Sequence, residues 1–262
     1  LLQRAQLRFV PPTSLAMVHA ALDRWLSSET AGEMDGRFVV PMAGQRGGLN
    51  ARDIAVLDRI TEPMPMAGAL TSRLEVAALE RLVARGLVMI SGVTPSDASH
   101  VLGRLDSWDA AAAEKALRLI AKRRTGAGER FATGPQVFAQ AVVDQLTQQT
   151  VDCLLEAAFG EDVGFSGEIP QALAQHRLAK AGLAQHRGVV EVSVKLGVPV
   201  IGLGASAPSY YGAVGKRLHC QTILPEHAFL MWILLLLQLI RNPSSMQVQI
   251  RRFRSEEHTS EL

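Results

Sequence analysis

The chain has 262 residues, 48% of them hydrophobic, and a formal net charge of +2. That length supports one large domain or two small ones, and a charge so close to zero excludes a polyanion partner held by bulk electrostatics. Two cysteines, Cys153 and Cys220, exclude a disulfide framework and a CxxC zinc pair, so a cytoplasmic location is expected.

The opening LLQRAQLRF has no long apolar core and no initiator Met. It is expected to be no signal peptide, and the chain is expected to begin inside a longer protein. Residues 14–26 (SLAMVHAALDRWL) carry Leu15, Val18, Leu22 and Trp25 on one helical face, with Thr13 or Ser14 as cap. Residues 36–43 read as a short strand and residues 45–48 as a glycine loop. Asn50 caps a predicted helix to Ile60. A Pro/Met turn and a second helix over 74–85 follow, closed by Gly86 and a strand over 87–90. Helix, helix and strand give residues 50–92 the look of a winged-helix module. Its arginines (Arg52, Arg59, Arg73, Arg81, Arg85) are interleaved with acids, which argues against nucleic acid and for a small packing subdomain.

Thr94 and Pro95 start a helix in TPSDASHVLGRL, and residues 109–122 form another, ending in Lys122, Arg123 and Arg124. The helix dipole explains that basic run, although a phosphate patch would look the same. The longest predicted helix covers 135–159, with Val137, Phe138, Ala141, Val142, Leu146, Val151, Leu154 and Leu155 inward. A polar helix over 169–187 carries LAQHR twice. Strands are predicted at 189–194, 198–201 and 220–224, with a helix over 210–218. The fold class expected from this mixture is α/β or α+β.

The most informative stretch is residues 198–211, VPVIGLGASAPSYY. A β-rich run meets Gly202 and Gly204, then small residues, then a helix start. Glycines allow close approach of a ligand to the backbone, and helix N–H groups suit phosphate. Gly202, Gly204, Ala205 and Ser206 are therefore the candidate nucleotide contacts. The pattern fits G-x-G-x-x-A through Ala207, which keeps open an NAD(P)-binding Rossmann domain of an oxidoreductase. Pro208 in the helix's opening turn, Pro225 at the next strand's end and the motif's late position count against it. A late glycine pair after a strand suits the adenosine side of an actin- or Hsp70-like ATPase. A tight turn without ligand is the third reading, and a non-enzymatic winged-helix regulatory module remains a third function.

Three segments together resemble the hydantoinase/oxoprolinase family: residues 93–105 (VTPSDASHVLGRL), the helix pair after them, and residues 196–228 with the glycine turn. The resemblance covers about residues 11–228. It implies a partial lobe of the actin/Hsp70-like ATPase fold, with residues 50–92 as an inserted winged-helix-like subdomain between 1–49 and 93–228. It also implies ATP with Mg²⁺, a cyclic amide substrate such as a hydantoin or 5-oxoproline, and a partner hydantoinase-type or carboxylase subunit. Phosphorylation of an amide or carboxyl oxygen and attack by water is the chemistry implied. Asp97 matches the family's T-D-A acid and is a weak catalytic candidate; as an ordinary residue it is a helix-start acid. The family's Asp-x-Gly-Gly-Thr phosphate turn does not occur in this sequence, and QRGG at 45–48 lacks the acid. The chain alone is therefore expected not to turn over ATP.

No metal site is expected: His219 and Cys220 are adjacent and His227 is a weak third partner. Ser91 and Ser209 lack a His–acid pair, and His100 reads as a packed or an exposed histidine without a chemical role. Residues 228–237 (AFLMWILLLL) are too short to span a bilayer. RSEEHTSEL at 254–262 reads as translated sequencing-library adapter, so residues 229–262 are expected to be non-native or frame-shifted, not a membrane anchor.

Overall fold

The computed structural model describes residues 12–204 and 206–225. Ala205, Glu226, His227 and the tail at 229–262 lie outside the described residues. The chain divides into two compact units, Leu1–Leu146 and Thr147–Leu262. Helices dominate both, with one small sheet in each, which gives the mixed α and β class that the sequence predicts. No helix among the described residues is long and apolar enough to cross a membrane.

The N-terminal unit runs α1 (Leu15–Ser27), β1 (Phe38–Pro41), α2 (Ala51–Arg59), β2 (Met64–Pro65), α3 (Val76–Ala84), β3 (Val88–Ser91), α4 (Pro95–Val101) and α5 (Ala110–Ala121). The strands form an antiparallel sheet in the order β2-β1-β3, with Val39 opposite both Met64 and Ile90. Residues 50–92 thus keep the expected helix–helix–strand order, but the central strand of their sheet, β1, lies upstream at Phe38–Pro41. Alternation along β1 sends Phe38 and Val39 into different cores. Phe38 joins Val18, Leu22, Trp25 and Leu119 between α1 and α5. Val39 joins Val56, Leu79, Leu82 and Val88 around α2 and α3.

Local chemistry sets the ends of these helices. Asn50 caps α2 by accepting the Asp53 N–H at 2.9 Å. At the C-terminus of α3, Gly86 takes φ +71, its N–H donates to the Val83 carbonyl, and the Leu87 N–H reaches back to Leu82. That is the Schellman arrangement, and glycine takes the left-handed position at least cost. Buried Asp53 holds the Arg81 guanidinium at 2.6 Å, and Glu75 holds Arg59 at 2.6 Å.

α6 (Pro135–Glu161) contains the division between the units. Its buried positions are Ala139, Val143, Thr147, Val151 and Leu155, whereas Val137 is 57% exposed. Val151 and Leu155 match the expected inward set, whereas Val137 and Ala141 are exposed. The buried stripe advances by four residues and uses small side chains, which one helix face allows.

In the C-terminal unit the expected helix over 169–187 is two helices, α7 (Pro170–Gln175) and α8 (Arg177–Leu183). His176 leaves helical geometry at ψ 141 and accepts the Leu178 N–H through Nδ1. The second LAQHR copy also marks a helix end, with Gln185 at φ +52 after α8. Then come β4 (Val200–Ile201), α9 (Ala207–Leu218) and β5 (Thr222–Ile223), with β4 and β5 parallel. Residues 189–194, expected as a strand, form none. The core here is Val151, Leu155, Ala174, Val200, Val214 and Leu218.

Candidate nucleotide-binding turn

β4, α9 and β5 make a strand–helix–strand crossover, and the glycine turn sits at the carboxyl end of β4. Ligands of open parallel sheets bind at that end. The Gly202 N–H completes the ladder by donating to the Ile223 carbonyl at 2.9 Å. Gly202 is closely packed: a Cβ would lie 2.6 Å from the end of the Leu224 side chain and 3.1 Å from the Tyr211 ring, so both would have to shift. Gly204 differs, with φ +103 and open space where a Cβ would stand. The first glycine serves close packing, and the second leaves the backbone open to a ligand.

Ser206 occupies the cap position of α9 without a side-chain cap bond. The amides that follow are already committed. Ala207 donates its N–H to the Gly204 carbonyl at 3.2 Å, and Ser209 donates to Ser206 at 3.1 Å. The Ser209 hydroxyl donates to that same Ser206 carbonyl at 2.7 Å, and Pro208 has no N–H at all. A phosphate on a helix start needs these orphan donors, so the turn offers a ligand backbone surface and a hydroxyl more than a phosphate cradle. The turn has no carboxylate, so it offers the Mg²⁺ implied by the family resemblance no charged oxygen ligand. Among the described residues no group of three His, Cys, Asp or Glu could hold a metal ion.

Two glycines that the sequence reading passed over hold this region together. A Cβ on Gly215 would collide with the Thr222 hydroxyl and come within 3.2 Å of the Cys220 carbonyl, so α9 rests directly on β5. Gly182 does the same for α8 against Val194. The small residue inside each short helix was the available signal. At the far end of α9, His219 takes the left-handed position at φ +52. Its Nε2 bonds the Leu183 carbonyl at 2.8 Å, and its Nδ1 meets the Gln185 amide at 3.2 Å. His219 therefore ties the ends of α8 and α9 together.

Asp97 belongs to the N-terminal unit, far in sequence from the glycine turn. It is 5% exposed. One carboxylate oxygen, Oδ2, accepts the Thr94 N–H at 2.7 Å and the Thr94 hydroxyl at 2.6 Å, while Thr94 accepts the Asp97 N–H at 3.4 Å. This is a complete capping box on α4. Burial pushes the Asp97 carboxyl above its ordinary range, against the pull of the Thr94 hydrogen bonds. One turn on, His100 is pinned at both nitrogens: Nδ1 lies 2.7 Å from the Ser96 carbonyl, and Nε2 accepts the Trp108 N–H at 3.0 Å. The ring braces the α4–α5 connection.

The basic run at the end of α5 is committed to carbonyl groups. Lys122 reaches Leu26 and Ser28 at the end of α1, Arg123 reaches Asp35 at 2.8 Å, and Arg124 reaches Gly128 at 2.8 Å. Two depressions of ≈ 510 Å³ each flank this run and share Lys122 and Arg130. The cations thus cap chain ends in addition to complementing the α5 dipole.

Comparison of the chain with protein-family models, with curated proteins and with solved structures finds no match.

Proposed function

We propose that this chain supplies the adenosine side of a nucleotide cleft in an ATP-dependent hydrolase that opens cyclic amides of the hydantoin or 5-oxoproline type, or in a related carboxylase subunit. In this reading the C-terminal unit is part of an actin/Hsp70-like lobe. Gly202 and Gly204 bring the backbone against the adenosine, and Ser206 offers its hydroxyl to the ribose or base. The single observation that carries it is the committed start of α9: Ala207 and Ser209 donate to their own turn and Pro208 has no donor. A turn of that kind can take the uncharged end of a nucleotide and has little to give its phosphates. The phosphate-holding Asp-x-Gly-Gly-Thr turn, absent from this sequence, would come from elsewhere in the assembled enzyme, together with the metal.

The second reading, an NAD(P)-binding domain, has the parallel β4–α9–β5 crossover and the G-x-G-x-x-A spacing in its favour. It asks the helix-start amides to hold a pyrophosphate, and those of Ala207 and Ser209 already donate within the turn. Competition against a fluorescent adenosine analogue bound to the full chain separates the two. Adenosine and ATP should displace the probe with comparable affinity, inorganic tripolyphosphate should not displace it, and no phosphate should be released from ATP. Displacement by tripolyphosphate, or NADH binding far more tightly than adenosine, overturns the assignment.

A further inference from the structure

Residues 189–196, VVEVSVKL, have the alternation of a half-buried strand, yet they pair with no strand. The bends at 188–190 end before Glu191, and over 191–196 exposure and amide bonding alternate as in an extended segment. Every second amide donates inward: Val192 to the His186 carbonyl at 3.1 Å, Val194 to Gly182 at 3.1 Å and Leu196 to Leu218 at 2.9 Å. Val194 and Leu196 pack against the core of the C-terminal unit, and the bare Cα of Gly182 makes room for Val194. In an extended chain, backbone groups alternate sides as side chains alternate faces. The amides and carbonyls of Glu191, Ser193 and Lys195 therefore point away from α8 and α9, and none has a partner among the described residues. The side chains of these three are exposed as well, and Val189 and Val190 beside them are 107% and 65% exposed. A row of unpaired backbone groups along an extended, β-forming segment is a template for another strand.

We infer that this edge pairs antiparallel with the same edge of a second copy of the chain, about a two-fold axis at Ser193. The sequence is self-complementary in that register. Ser193 faces Ser193, Glu191 faces Lys195 at both ends, and Val190 meets Leu196. Each outward-facing pair exchanges two hydrogen bonds, and each Glu–Lys pair sits directly cross-strand, where opposite charges attract. Centring the axis on Glu191 or on Lys195 sets like charges face to face, and a parallel in-register ribbon stacks Glu on Glu and Lys on Lys. Both arrangements are repulsive. A closed two-fold contact also uses up the edge on both copies, so association stops at the dimer.

Sedimentation of the full chain over a range of concentrations tests this. A monomer–dimer equilibrium is expected. Lys195→Glu and Glu191→Lys should each weaken it about tenfold, because two cross-strand pairs turn from attraction to repulsion. The double exchange Glu191→Lys with Lys195→Glu should restore it. Ser193→Pro removes the central donor and should abolish dimerisation with unchanged circular dichroism. A chain that stays monomeric throughout overturns the inference, as does a dimer indifferent to all four variants. A dimer lost with Ser193→Pro but not restored by the double exchange overturns the register centred on Ser193.

Discussion

The two units solve the problem of a small sheet in opposite ways. In the N-terminal unit the antiparallel strand β1 is central, and its two faces feed two separate cores through Phe38 and Val39. In the C-terminal unit the parallel pair β4–β5 has Val200 in its one core, while its register partners Ile201 and Ile223 stay 43% and 39% exposed. Parallel sheets are ordinarily covered on both faces. The contrast teaches that the N-terminal unit is built to be stable by itself, whereas the C-terminal unit leaves backbone and apolar surface for a ligand or a partner to complete.

Core deletions should break this comparison most sharply. Phe38 is 0% exposed and lies 5.4 Å from Trp25 by ring centroids. Phe38→Ala should cost about 3–5 kcal/mol, the range for deleting a large buried aromatic side chain. Leu218→Ala in the other core should cost about 2–5 kcal/mol. In a Trp232→Phe background the units carry separate reporters: the remaining Trp25 and Trp108 lie in the first, and both tyrosines of the chain, Tyr210 and Tyr211, lie in the second. Denaturation followed in each band should show Phe38→Ala moving the tryptophan transition and Leu218→Ala the tyrosine one. If both variants shift both transitions equally, the units unfold as one and the contrast fails.

Gly215→Ala probes the crossover itself. Its methyl group has to displace Thr222 on β5 and crowds the Cys220 carbonyl. Overpacking of this kind costs about 1–3 kcal/mol, and the loss should appear in the tyrosine transition alone. The adenosine binding proposed for the glycine turn should be lost in the same variant, since β4 and β5 align its two sides. Wild-type affinity in Gly215→Ala would sink the idea that the turn depends on this packing.

How much of this was legible in the sequence follows the range of each interaction. Asn50, Thr94 with Asp97, Gly86, and Asp109, which caps α5 by accepting the Ala112 N–H, act on their own backbone within a few residues, and their roles could be read directly. A strand requires a partner, so VVEVSVKL showed its propensity but not that its edge would find no strand among the described residues. α6 has apolar residues on more than one face, and neighbours chose the stripe of Ala139, Val143 and Thr147 over Val137. The place of the glycine turn was readable, but the fate of its amides was not: which carbonyls Ala207 and Ser209 meet depends on the turn's three-dimensional path. Asp97 stood out as an acid in a motif, and only its burial against Thr94 showed how fully its environment is used by the cap.

A smaller effect sharpens the role of Asp97. Asp97→Ala should cost about 1 kcal/mol, as loss of a helix cap typically does. Asp97→Asn keeps an oxygen that accepts from Thr94 and removes a buried charge, so it should leave stability unchanged or slightly raised. A residue that carries protons in catalysis would show the reverse pattern, with stability intact and turnover of the assembled enzyme lost in Asp97→Asn.

The subtlest contrast lies in pH. The Arg59 guanidinium, helped by the Thr71 N–H, pulls the Glu75 carboxyl down to about 2, and Arg81 likewise lowers Asp53. A depressed carboxylate stabilises the fold fully above its unfolded value of about 4.3, and the contribution drains away as pH falls toward 2. Asp97, raised by burial, acts in the opposite sense, because the folded state takes up its proton first as pH falls. In the C-terminal unit, burial pushes Tyr210 up to about 12, with Tyr211 adding to the rise. That stability is full below the unfolded value of about 10 and is lost as pH climbs toward 12. The N-terminal unit should therefore be the acid-sensitive one and the C-terminal unit the alkali-sensitive one. Melting curves followed in the tryptophan and tyrosine bands check this, with Glu75→Gln flattening the acid limb, Asp97→Asn steepening it and Tyr210→Phe flattening the alkaline limb. An acid limb unchanged by Glu75→Gln would mean that the Arg59–Glu75 pair persists in the unfolded chain. Its depressed carboxyl would then say nothing about the stability of this unit.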